Sequence, residues 1–278
     1  MNEALGQKCA ELRRTLASME SVAIAFSGGV DSAFLLKTAH DALGGRAVAV
    51  TALSPSFPPR EAEAAAAFCR EYGIRHETVE TDEMRSPGFS ENPPNRCYIC
   101  KKALFAKIRR FADKNGFAEI AEGSNTDDDG DYRPGREAVL EAGVRSPLHE
   151  AGFTKADVRE AAREAGLAIW NKPAMACLSS RFPYGEKLTA EKFARVDKAE
   201  CFLAKVLEAA MAADAERTPV AARVRSQGDT ARIEVPPEAF AAVTAHRREI
   251  SDAFKKAGFA YVSLDLDGYR TGSMNEVL

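Results

Sequence analysis

The sequence predicts an α/β protein with a doubly wound parallel sheet, followed by a smaller α+β domain. Three observations support this prediction. Apolar strand segments alternate with amphipathic helices over residues 2–167, a glycine-containing turn (SGGVDS, 27–32) joins the first strand to the next helix, and an αββαβ pattern follows residue 188. We place the domain boundary near 187, which gives domains 1–186 and 187–278.

The first domain is predicted to contain a leading helix and four strands. Residues 2–18 place Leu5, Leu12 and Leu16 along one helical face. The predicted strands are SVAIAFS (21–27), RAVAVTALS (46–54), RHETVET (75–81) and AEIAEGS (118–124). The predicted helices follow SGGVDS up to Gly44–Gly45 and then cover 58–74, 97–117 and 154–167, the last with Thr154 as its N-cap.

The second domain is predicted from a change in pattern. A long alanine-rich helix covers 189–215, a hairpin covers 221–235 around Gln227–Gly228–Asp229, a helix covers 236–257 and a strand begins at Tyr261. Before these elements, residues 171–186 lack periodicity and contain two prolines and a glycine. This segment is either an ordered functional loop or a linker.

The composition excludes several classes of protein. The chain has 278 residues, of which 45% are hydrophobic and 28% charged, as is ordinary for a globular protein. The formal net charge of -3 disfavours a nucleic-acid partner. No apolar stretch is long enough to cross a bilayer, and the N-terminus has no apolar signal core. We therefore expect a cytoplasmic protein without a membrane partner.

SGGVDS is the strongest local motif. Gly28 and Gly29 allow a tight turn whose N–H groups can surround an anion, and the following helix N-terminus adds a partial positive charge. Ser27 and Ser32 supply hydroxyl donors, while Asp31 can orient the loop or help to hold Mg²⁺. In isolation, the motif would favour a glycine turn with a helix cap. Its position after the first strand of an α/β pattern favours a phosphate site instead.

Polar residues at two other strand ends are candidates for the same nucleotide site. Ser54 ends the second predicted strand, and Gly123, Asn125 and Asp127 follow the fourth. The acidic run is either a solvated turn or part of a magnesium or ribose site. Arg133 and Arg136, further along this loop, are candidate phosphate contacts.

The six cysteines fall into two groups. Cys97 and Cys100 have the spacing that allows two thiolates to reach one metal, and Cys177 lies in the irregular loop. Half of a zinc site or a redox dithiol are the alternatives for the pair, although no second CxxC or CxxH motif accompanies it. The remaining cysteines are predicted to be small buried residues: Cys9, Cys69 and Cys201.

Two arginine-containing pairs are candidates for binding a substrate phosphate. Arg223 and Arg225 alternate along a strand and so share one face, which suits bidentate capture of phosphate but is also common on plain surfaces. Ser180 and Arg181 follow Cys177 and could bind phosphate beside it, or could form a solvated loop.

SGGVDS resembles the PP-loop shared by GMP synthetase, NAD synthetase, asparagine synthetase and the tRNA-thiolating enzymes. Five further segments extend the resemblance over essentially the whole chain: NRCYICK (95–101), EGSNTDD (122–128), DYRPG (131–135), PAMACLSSRFPYGE (173–186) and LDLDGYRTGSMNEVL (264–278). In this order they resemble the LarE family of ATP-dependent sulfur transferases, which serve the synthesis of the nickel-pincer nucleotide of lactate racemase.

The resemblance implies a specific chemistry. The family activates a carboxylate of pyridinium-3,5-biscarboxylic acid mononucleotide with ATP, and sulfur then enters as a thiocarboxylate. In one branch the cysteine matching Cys177 is sacrificed and becomes dehydroalanine. In another branch that cysteine and a CxxC pair hold a 4Fe–4S cluster that carries an extra sulfide. Because Cys97, Cys100 and Cys177 are all present, the chain resembles the cluster branch, which implies ATP, Mg²⁺, a sulfide donor and a homo-oligomer.

Three other functions remain open from the sequence. A tRNA 2-thiolation enzyme would need a basic groove and an RNA-binding domain, and the net charge of -3 disfavours it. An ammonia-using synthetase would need a glutaminase partner or domain. A nucleotide-binding sensor would release no pyrophosphate with any substrate.

Overall fold

The computed structural model describes residues 2–130, 134–211, 220–270 and 272–276. The chain forms two compact units. The first comprises Met1–Ser86 and Asn95–Lys172, and the second comprises Pro87–Pro94 and Pro173–Leu278. The chain therefore passes from one unit to the other after Ser86, Pro94 and Lys172.

The first unit contains a four-stranded sheet in which every pairing is parallel. Its strands are β1 (Val22–Ala25), β2 (Ala47–Leu53), β3 (Arg75–Glu80) and β4 (Glu119–Ala121), in the order β3-β2-β1-β4. All four strands were predicted from the alternation of strand and helix segments along the sequence. The order places β1 between β2 and β4, so the carboxyl ends of these three strands lie at one edge of the sheet.

Helices cover both faces of this sheet. They are α1 (Glu3–Ala17), α2 (Val30–Leu43), α3 (Pro59–Glu71), α4 (Arg96–Asn115), α5 (Gly135–Glu141), α6 (Pro147–Glu150) and α7 (Lys155–Glu164). Successive residues of β1 point to opposite faces, and Val22 and Ile24 belong to the hydrophobic core that contains α1, α2 and α7. Ala23 belongs to a second core with Phe105 and Ile108 of α4. The doubly wound α/β prediction is confirmed.

Thr154 is an N-cap, as predicted. Its hydroxyl accepts a hydrogen bond from the Asp157 backbone N–H, and the Asp157 carboxylate accepts one in return from the Thr154 backbone N–H. This capping box fixes the start of α7 and therefore the position of Lys155. The short helices α5 and α6 were not predicted.

The second unit contains α8 (Ala190–Ala210), β5 (Arg223–Gln227), β6 (Thr230–Glu234), α9 (Phe240–Ala245), α10 (Arg247–Ala257) and β7 (Tyr261–Leu264). The sheet order is β5-β6-β7, with β5 and β6 forming the predicted antiparallel hairpin and β7 parallel to β6. The prediction of one helix over 236–257 is wrong, since the segment divides at His246. Residues 212–219 of the predicted 189–215 helix lie outside the described residues.

The cysteine-bearing segment 173–186 belongs to the second unit, whereas the sequence placed a boundary near 187. The reason lies in its contacts with α8. The rings of Phe182 and Phe193 pack with centroids 5.7 Å apart, and the Arg181 guanidinium pairs with the Glu200 carboxylate. The segment 87–94 joins the same unit because the Asn92 amide donates to the carbonyl oxygens of Phe182 and Pro183, at 3.3 and 2.6 Å.

None of the helices in the described part of the chain combines the length and apolar character needed to span a membrane.

Candidate active site

The SGGVDS turn connects β1 to α2 and has the geometry of an anion-binding loop. Gly28 has φ +70°, a left-handed conformation that favours glycine, and Gly29 is the extended N-cap of α2. The Ser27 and Ser32 hydroxyl oxygens lie 3.2 Å apart, and the Ser32 hydroxyl donates to the Gly29 carbonyl at 3.1 Å. The loop thus places two hydroxyls beside the N-terminus of α2, where backbone N–H groups attract a phosphate.

Gly123 lies directly against this helix N-terminus. A Cβ atom at this position would be 2.9 Å from the Ser32 backbone nitrogen and 3.1 Å from the Asp31 carbonyl carbon. Because both are backbone atoms, only a glycine allows the end of β4 to approach α2 this closely. The role of Gly123 in nucleotide binding stays a prediction. Its place against the SGGVDS turn (residues 27–32), called the phosphate loop below, is consistent with that role.

Asp31 is the centre of a polar cluster next to the loop. Its Oδ1 atom accepts a hydrogen bond from the Asn125 amide at 3.3 Å, and its Oδ2 atom pairs with the Lys155 ammonium. Asn125 is buried, and its Oδ1 atom accepts from the Asp127 backbone N–H at 3.0 Å. The Asp127 carboxylate in turn accepts from the Lys155 backbone N–H at 2.9 Å. The structure therefore brings together Asp31, Asn125 and Asp127 with one lysine that the sequence did not suggest.

A second unsuggested lysine reaches the phosphate loop from the end of the first unit. The Lys172 ammonium donates to the Gly28 carbonyl at 2.9 Å and to the Glu61 carboxylate at 2.6 Å. Lys155 had one usable signal, because it directly follows the predicted Thr154 cap at the carboxyl edge of the sheet. Lys172 had none, because it lies in a segment without periodicity.

Other predicted nucleotide residues lie at the same edge or beyond the described chain. Ser54 follows β2, and its hydroxyl oxygen lies 3.4 Å from that of Ser56. Arg136 pairs with Asp129 and contacts the His149 ring at 3.2 Å, so its guanidinium is engaged by protein groups. Arg133 lies outside the described residues.

The CxxC pair opens α4. Cys97 is exposed and Cys100 is partly exposed, one helical turn apart and therefore on the same face. Gly135 packs against this turn, since a Cβ atom there would lie 2.8 Å from the Lys101 Cδ atom and 3.4 Å from the Cys97 carbonyl oxygen. Both thiols are therefore positioned by a packed turn rather than by a loose loop.

The remaining cysteines differ in burial. Cys9 and Cys69 are buried as predicted, and burial raises the pKa of both thiols, that of Cys69 to about 11. Cys201 is only partly buried, so the prediction that it is a core residue is wrong. It sits on α8, where its thiol lies 3.9 Å from the Asp197 carboxylate.

Cys177 lies in the second unit, at the start of a short 3-10 turn (Leu178–Arg181), and is exposed. Its carbonyl oxygen accepts from the Ser180 hydroxyl at 2.9 Å and from Arg181 Nη1 at 3.3 Å. Among the described residues, no group of three or more His, Cys, Asp or Glu side chains is arranged to hold a metal ion. The convergence of Cys97, Cys100 and Cys177 stays a prediction.

Arg181 is completely buried and anchors the cysteine-bearing turn. Its Nε and Nη2 atoms donate to the two oxygens of Glu200 at 2.8 and 3.1 Å, and Nη1 donates to the Ala176 carbonyl and the Ser180 hydroxyl. Burial alone would raise the pKa of the Glu200 carboxyl, but the charge and hydrogen bonds of Arg181 outweigh burial and lower it. The pair therefore stays ionised and holds the backbone beside Cys177.

Arg223 and Arg225 share a face of β5, as the alternation predicted, and both are buried rather than exposed on a plain surface. Arg225 donates from Nε to Glu234 at 2.9 Å and from Nη1 to the Ser180 carbonyl at 2.8 Å. Arg223 donates to the Ala222 and Ala174 carbonyl oxygens and lies 5.3 Å from the centre of the Tyr269 ring. Within the described chain, no carboxylate forms an ion pair with Arg223.

These side chains form one cluster with a positive excess. Three buried arginines (Arg181, Arg223 and Arg225) face two buried glutamates, Glu200 and Glu234. Burial, followed by the neighbouring Arg181 charge, lowers the pKa of the Arg223 guanidinium. An anion at Arg223 would relieve both effects, since an opposite charge stabilises a buried cation. The cluster brings together all four residues that the sequence suggested for a substrate phosphate: Ser180, Arg181, Arg223 and Arg225.

Comparison of the sequence with known proteins identifies one matching family and three relatives that align over most of the chain. Residues 6–116 match the NAD synthase family. The chain is 38% identical to the pyridinium-3,5-bisthiocarboxylic acid mononucleotide synthase of Lactiplantibacillus plantarum, over 99% of this chain and 96% of that protein. It is 44% identical to an uncharacterised protein of Synechocystis over 99% of both chains. It is also 26% identical to an uncharacterised protein of Methanocaldococcus jannaschii over 91% of this chain and 92% of that one.

Proposed function

This chain belongs to the LarE family of PP-loop ATP pyrophosphatases, and from that premise we propose that it is an ATP-dependent sulfur transferase of nickel-pincer cofactor synthesis. Its substrate is pyridinium-3,5-biscarboxylic acid mononucleotide, and its product carries a thiocarboxylate. The observation that carries the proposal is the 38% identity over 99% of the chain to a synthase of the bisthiocarboxylic acid mononucleotide.

The first step is adenylation. A substrate carboxylate oxygen attacks the α-phosphorus of ATP, and the bond to the bridging oxygen breaks to release pyrophosphate. We assign binding of the departing pyrophosphate, where negative charge develops, to the N-terminus of α2 and the hydroxyls of Ser27 and Ser32; the closeness of the two hydroxyls to this helix end supports the assignment. The step turns the carboxylate into an acyl adenylate, so that the leaving group in the next step is AMP rather than a carboxylate oxygen.

Magnesium fits the Asp31 cluster by the chemistry of its donors. Carboxylate oxygens are ligands that Mg²⁺ prefers, and Asp31 supplies a carboxylate beside the loop, oriented by the amide N–H that it accepts from Asn125. Bound Mg²⁺ would shield the phosphate charge. Lys155 holds the Asp31 carboxylate in the structure and supplies a second cation at the same place.

The second step transfers sulfur. The Cys177 thiolate attacks the acyl carbon and AMP departs, leaving a thioester. In the sacrificial mechanism, a base then removes the Cys177 α-proton, the Cβ–S bond breaks, and the thiocarboxylate leaves with the electron pair while dehydroalanine remains. The exposure of Cys177 supports this role, because the thiol must reach a substrate.

A 4Fe–4S cluster held by Cys97, Cys100 and Cys177 is the alternative sulfur source that we propose. Two observations support the donor set: the exposed or partly exposed CxxC thiols share one face of α4, and Cys177 is also exposed. When bound by three thiolates, such a cluster supplies an iron at which an exogenous sulfide can be carried. The protein would then need a sulfide donor rather than a new chain for each turnover.

Substrate recognition is assigned to the arginine cluster of the second unit. Arg181 and Arg225 each pair with a buried carboxylate, Glu200 and Glu234 respectively. Arg223 forms no such pair in the described chain, so it is the arginine whose charge is best able to meet the substrate phosphate. We propose that Arg181 and Arg225 shape this subsite and that Arg223 binds the phosphate within it.

The function is tested with the anaerobically purified protein, ATP, Mg²⁺ and the biscarboxylic acid mononucleotide. We expect substrate-dependent pyrophosphate release and a thiocarboxylate product detected by mass spectrometry. Cys177→Ser should retain pyrophosphate release and lose sulfur transfer. Pyrophosphate release that needs tRNA instead of the mononucleotide would move the protein to the tRNA-thiolating enzymes.

The sulfur source is tested by iron and sulfide analysis, a visible spectrum and the mass of Cys177 after turnover. The cluster proposal expects several turnovers with added sulfide, an intact Cys177, and loss of both iron and turnover in Cys97→Ala. If Cys97→Ala keeps its activity and Cys177 becomes dehydroalanine after one turnover, the sacrificial mechanism stands. A cytoplasmic location and a homo-oligomeric state also stay predictions, and size-exclusion chromatography with light scattering tests the second.

A further inference from the structure

We infer that Lys172 is a positioning residue for the phosphate loop, and that its ammonium sets the direction of the Gly28–Gly29 peptide for ATP. The inference rests on the proposed function, because it concerns the same phosphate site. Lys172 ends the first unit and lies outside SGGVDS, yet its Nζ atom is 2.9 Å from the Gly28 carbonyl oxygen. The same atom is 2.6 Å from Glu61 Oε2.

The Gly28 carbonyl matters because it shares a peptide plane with the Gly29 N–H. In a trans peptide the C=O and N–H bonds point in opposite directions. Holding the oxygen towards Lys172 therefore turns the Gly29 N–H away from Lys172, to the opposite side of the loop. Glycine on both sides of this peptide would otherwise let it rotate easily, and a rotated peptide would present an oxygen where a donor is needed.

The carboxylate of Glu61 explains why a positively charged residue, Lys172, holds the Gly28 carbonyl. Its side chain is only 9% exposed, and it lies in the first turn of α3, whose backbone packs against Gly28. An unpaired carboxylate at this place would repel the phosphates of ATP and would itself be poorly solvated. Lys172 thus has two separable roles: it neutralises Glu61 and it holds the Gly28 oxygen.

Lys172 is itself held in place by α7. The Arg159 guanidinium donates to the carbonyl oxygens of Trp170 and Lys172 at 3.0 and 2.9 Å, and the Lys172 backbone N–H donates to Ile169 at 2.9 Å. The backbone on both sides of Asn171 is therefore fixed to a helix. A lysine with a fixed backbone loses less freedom when it bonds the loop than one on a mobile segment.

The test separates the two roles with Lys172→Met, Glu61→Gln and the double variant. The matched control is Lys37→Met, because Lys37 also forms an ion pair, with Asp41, and its side chain is 25% exposed compared with 22% for Lys172. The measurements are the Kd for ATP by calorimetry, the KM for ATP and for the mononucleotide, and the melting temperature of each purified full-length chain.

We expect Lys172→Met to weaken ATP binding about ten- to a hundredfold, which corresponds to the loss of a hydrogen bond from a charged donor. The KM for the mononucleotide and the kcat should change much less, and Lys37→Met should match the wild type. The decisive comparison is the double variant with Glu61→Gln. The double variant leaves no unpaired buried charge, so its fold is not strained by an uncompensated Glu61, and it should still bind ATP more weakly than Glu61→Gln.

Equal ATP affinity in the double variant and in Glu61→Gln would overturn the inference, because Lys172 would then only neutralise Glu61. So would a Lys172→Met that binds ATP like Lys37→Met. Lys172→Arg, which keeps the charge and the donors, should restore most of the affinity. The calorimetric Kd does not need turnover. A wild type that binds ATP but releases no pyrophosphate would therefore refute the proposed function and leave this inference to be decided by the variants.

Discussion

Gly123→Ala tests whether the end of β4 must touch the N-terminus of α2. The added Cβ would lie 2.9 Å from the Ser32 nitrogen and 3.1 Å from the Asp31 carbonyl carbon, closer than the ordinary contact of about 3.5 Å between non-bonded heavy atoms. Because these are backbone atoms in the first turn of a packed helix, no side-chain rotation relieves the contact. Either β4 or the phosphate loop must shift by several tenths of an ångström.

Overpacking of this kind costs about 1–3 kcal/mol. At roughly 2–4 °C per kcal/mol for a domain of this size, Gly123→Ala should lower the melting temperature by about 2–12 °C. The shift falls on Ser32 and Asp31, so ATP affinity should fall as well. Both quantities can be measured on one preparation, by thermal unfolding followed by circular dichroism and by ATP titration.

Gly45→Ala is the matched control for this substitution. A Cβ atom at Gly45 would meet nothing within 4 Å, and Gly45 has no positive φ. This variant should be as stable as the wild type or up to about 1 kcal/mol more stable, since alanine restricts the unfolded chain. A Gly123→Ala protein that melts with the wild type and binds ATP normally would refute the close approach.

Four further predictions use other features of the two units. Gly29→Val should leave the melting temperature nearly unchanged, because a Cβ atom there meets only one side-chain oxygen, at 3.5 Å. The variant should nevertheless release no pyrophosphate, because the side chain blocks the phosphates. Ordinary activity would show that this loop does not bind the phosphates. Arg223→Ala should weaken mononucleotide binding by about 1.5–3 kcal/mol and ATP binding much less, and equal losses would move this residue to the nucleotide site. Burial lowers the pKa of His76 in the folded chain, so protonation of this ring favours the unfolded chain. The melting temperature should therefore fall as the pH drops below about 6.5, and thermal unfolding at several pH values should show a smaller fall for His76→Gln. Iodoacetamide should label the exposed Cys177 long before Cys69, whose pKa burial raises to about 11, and mass spectrometry showing equal rates would contradict this difference in burial.

The sequence was informative where a pattern repeats over several residues. The alternation of strand and helix segments predicted β1 to β4, and the alternation of residues within a strand placed Arg223 and Arg225 on one face of the β5–β6 hairpin. The helices α5 and α6 are too short for a period of 3.6 residues to show. Residues 236–257 were wrongly predicted as one helix, because here a helical period does show. Val243, Ile250 and Phe254 keep helical spacing across the break at His246, so the sequence pattern of two helices looks like that of one.

The site was predictable only as far as it is local. SGGVDS, the CxxC pair and the acidic turn are each contiguous and carry their own chemistry. Lys155 and Lys172 contact the phosphate loop from positions 124 and 144 residues further along the chain. Only the place of Lys155 after the Thr154 cap hinted at the first contact, and no local pattern marks the second. The burial of Arg181 and Arg225 was equally inaccessible, because it depends on Glu200 and Glu234, and the pairing of buried charges is decided by the tertiary structure.

The discontinuity of the two units has a consequence for how this protein can be divided or inherited. The second unit needs residues 87–94 as well as everything after Lys172, so no single cut separates the units. A fragment that begins at Pro173 would lack Asn92, whose amide ties the backbone at Phe182 and Pro183 close to Cys177 in sequence. Gene fusion or exchange at one junction would thus give a second unit whose cysteine-bearing segment lacks its Asn92 contacts. We therefore expect the phosphate loop and the arginine cluster to be inherited on the same gene.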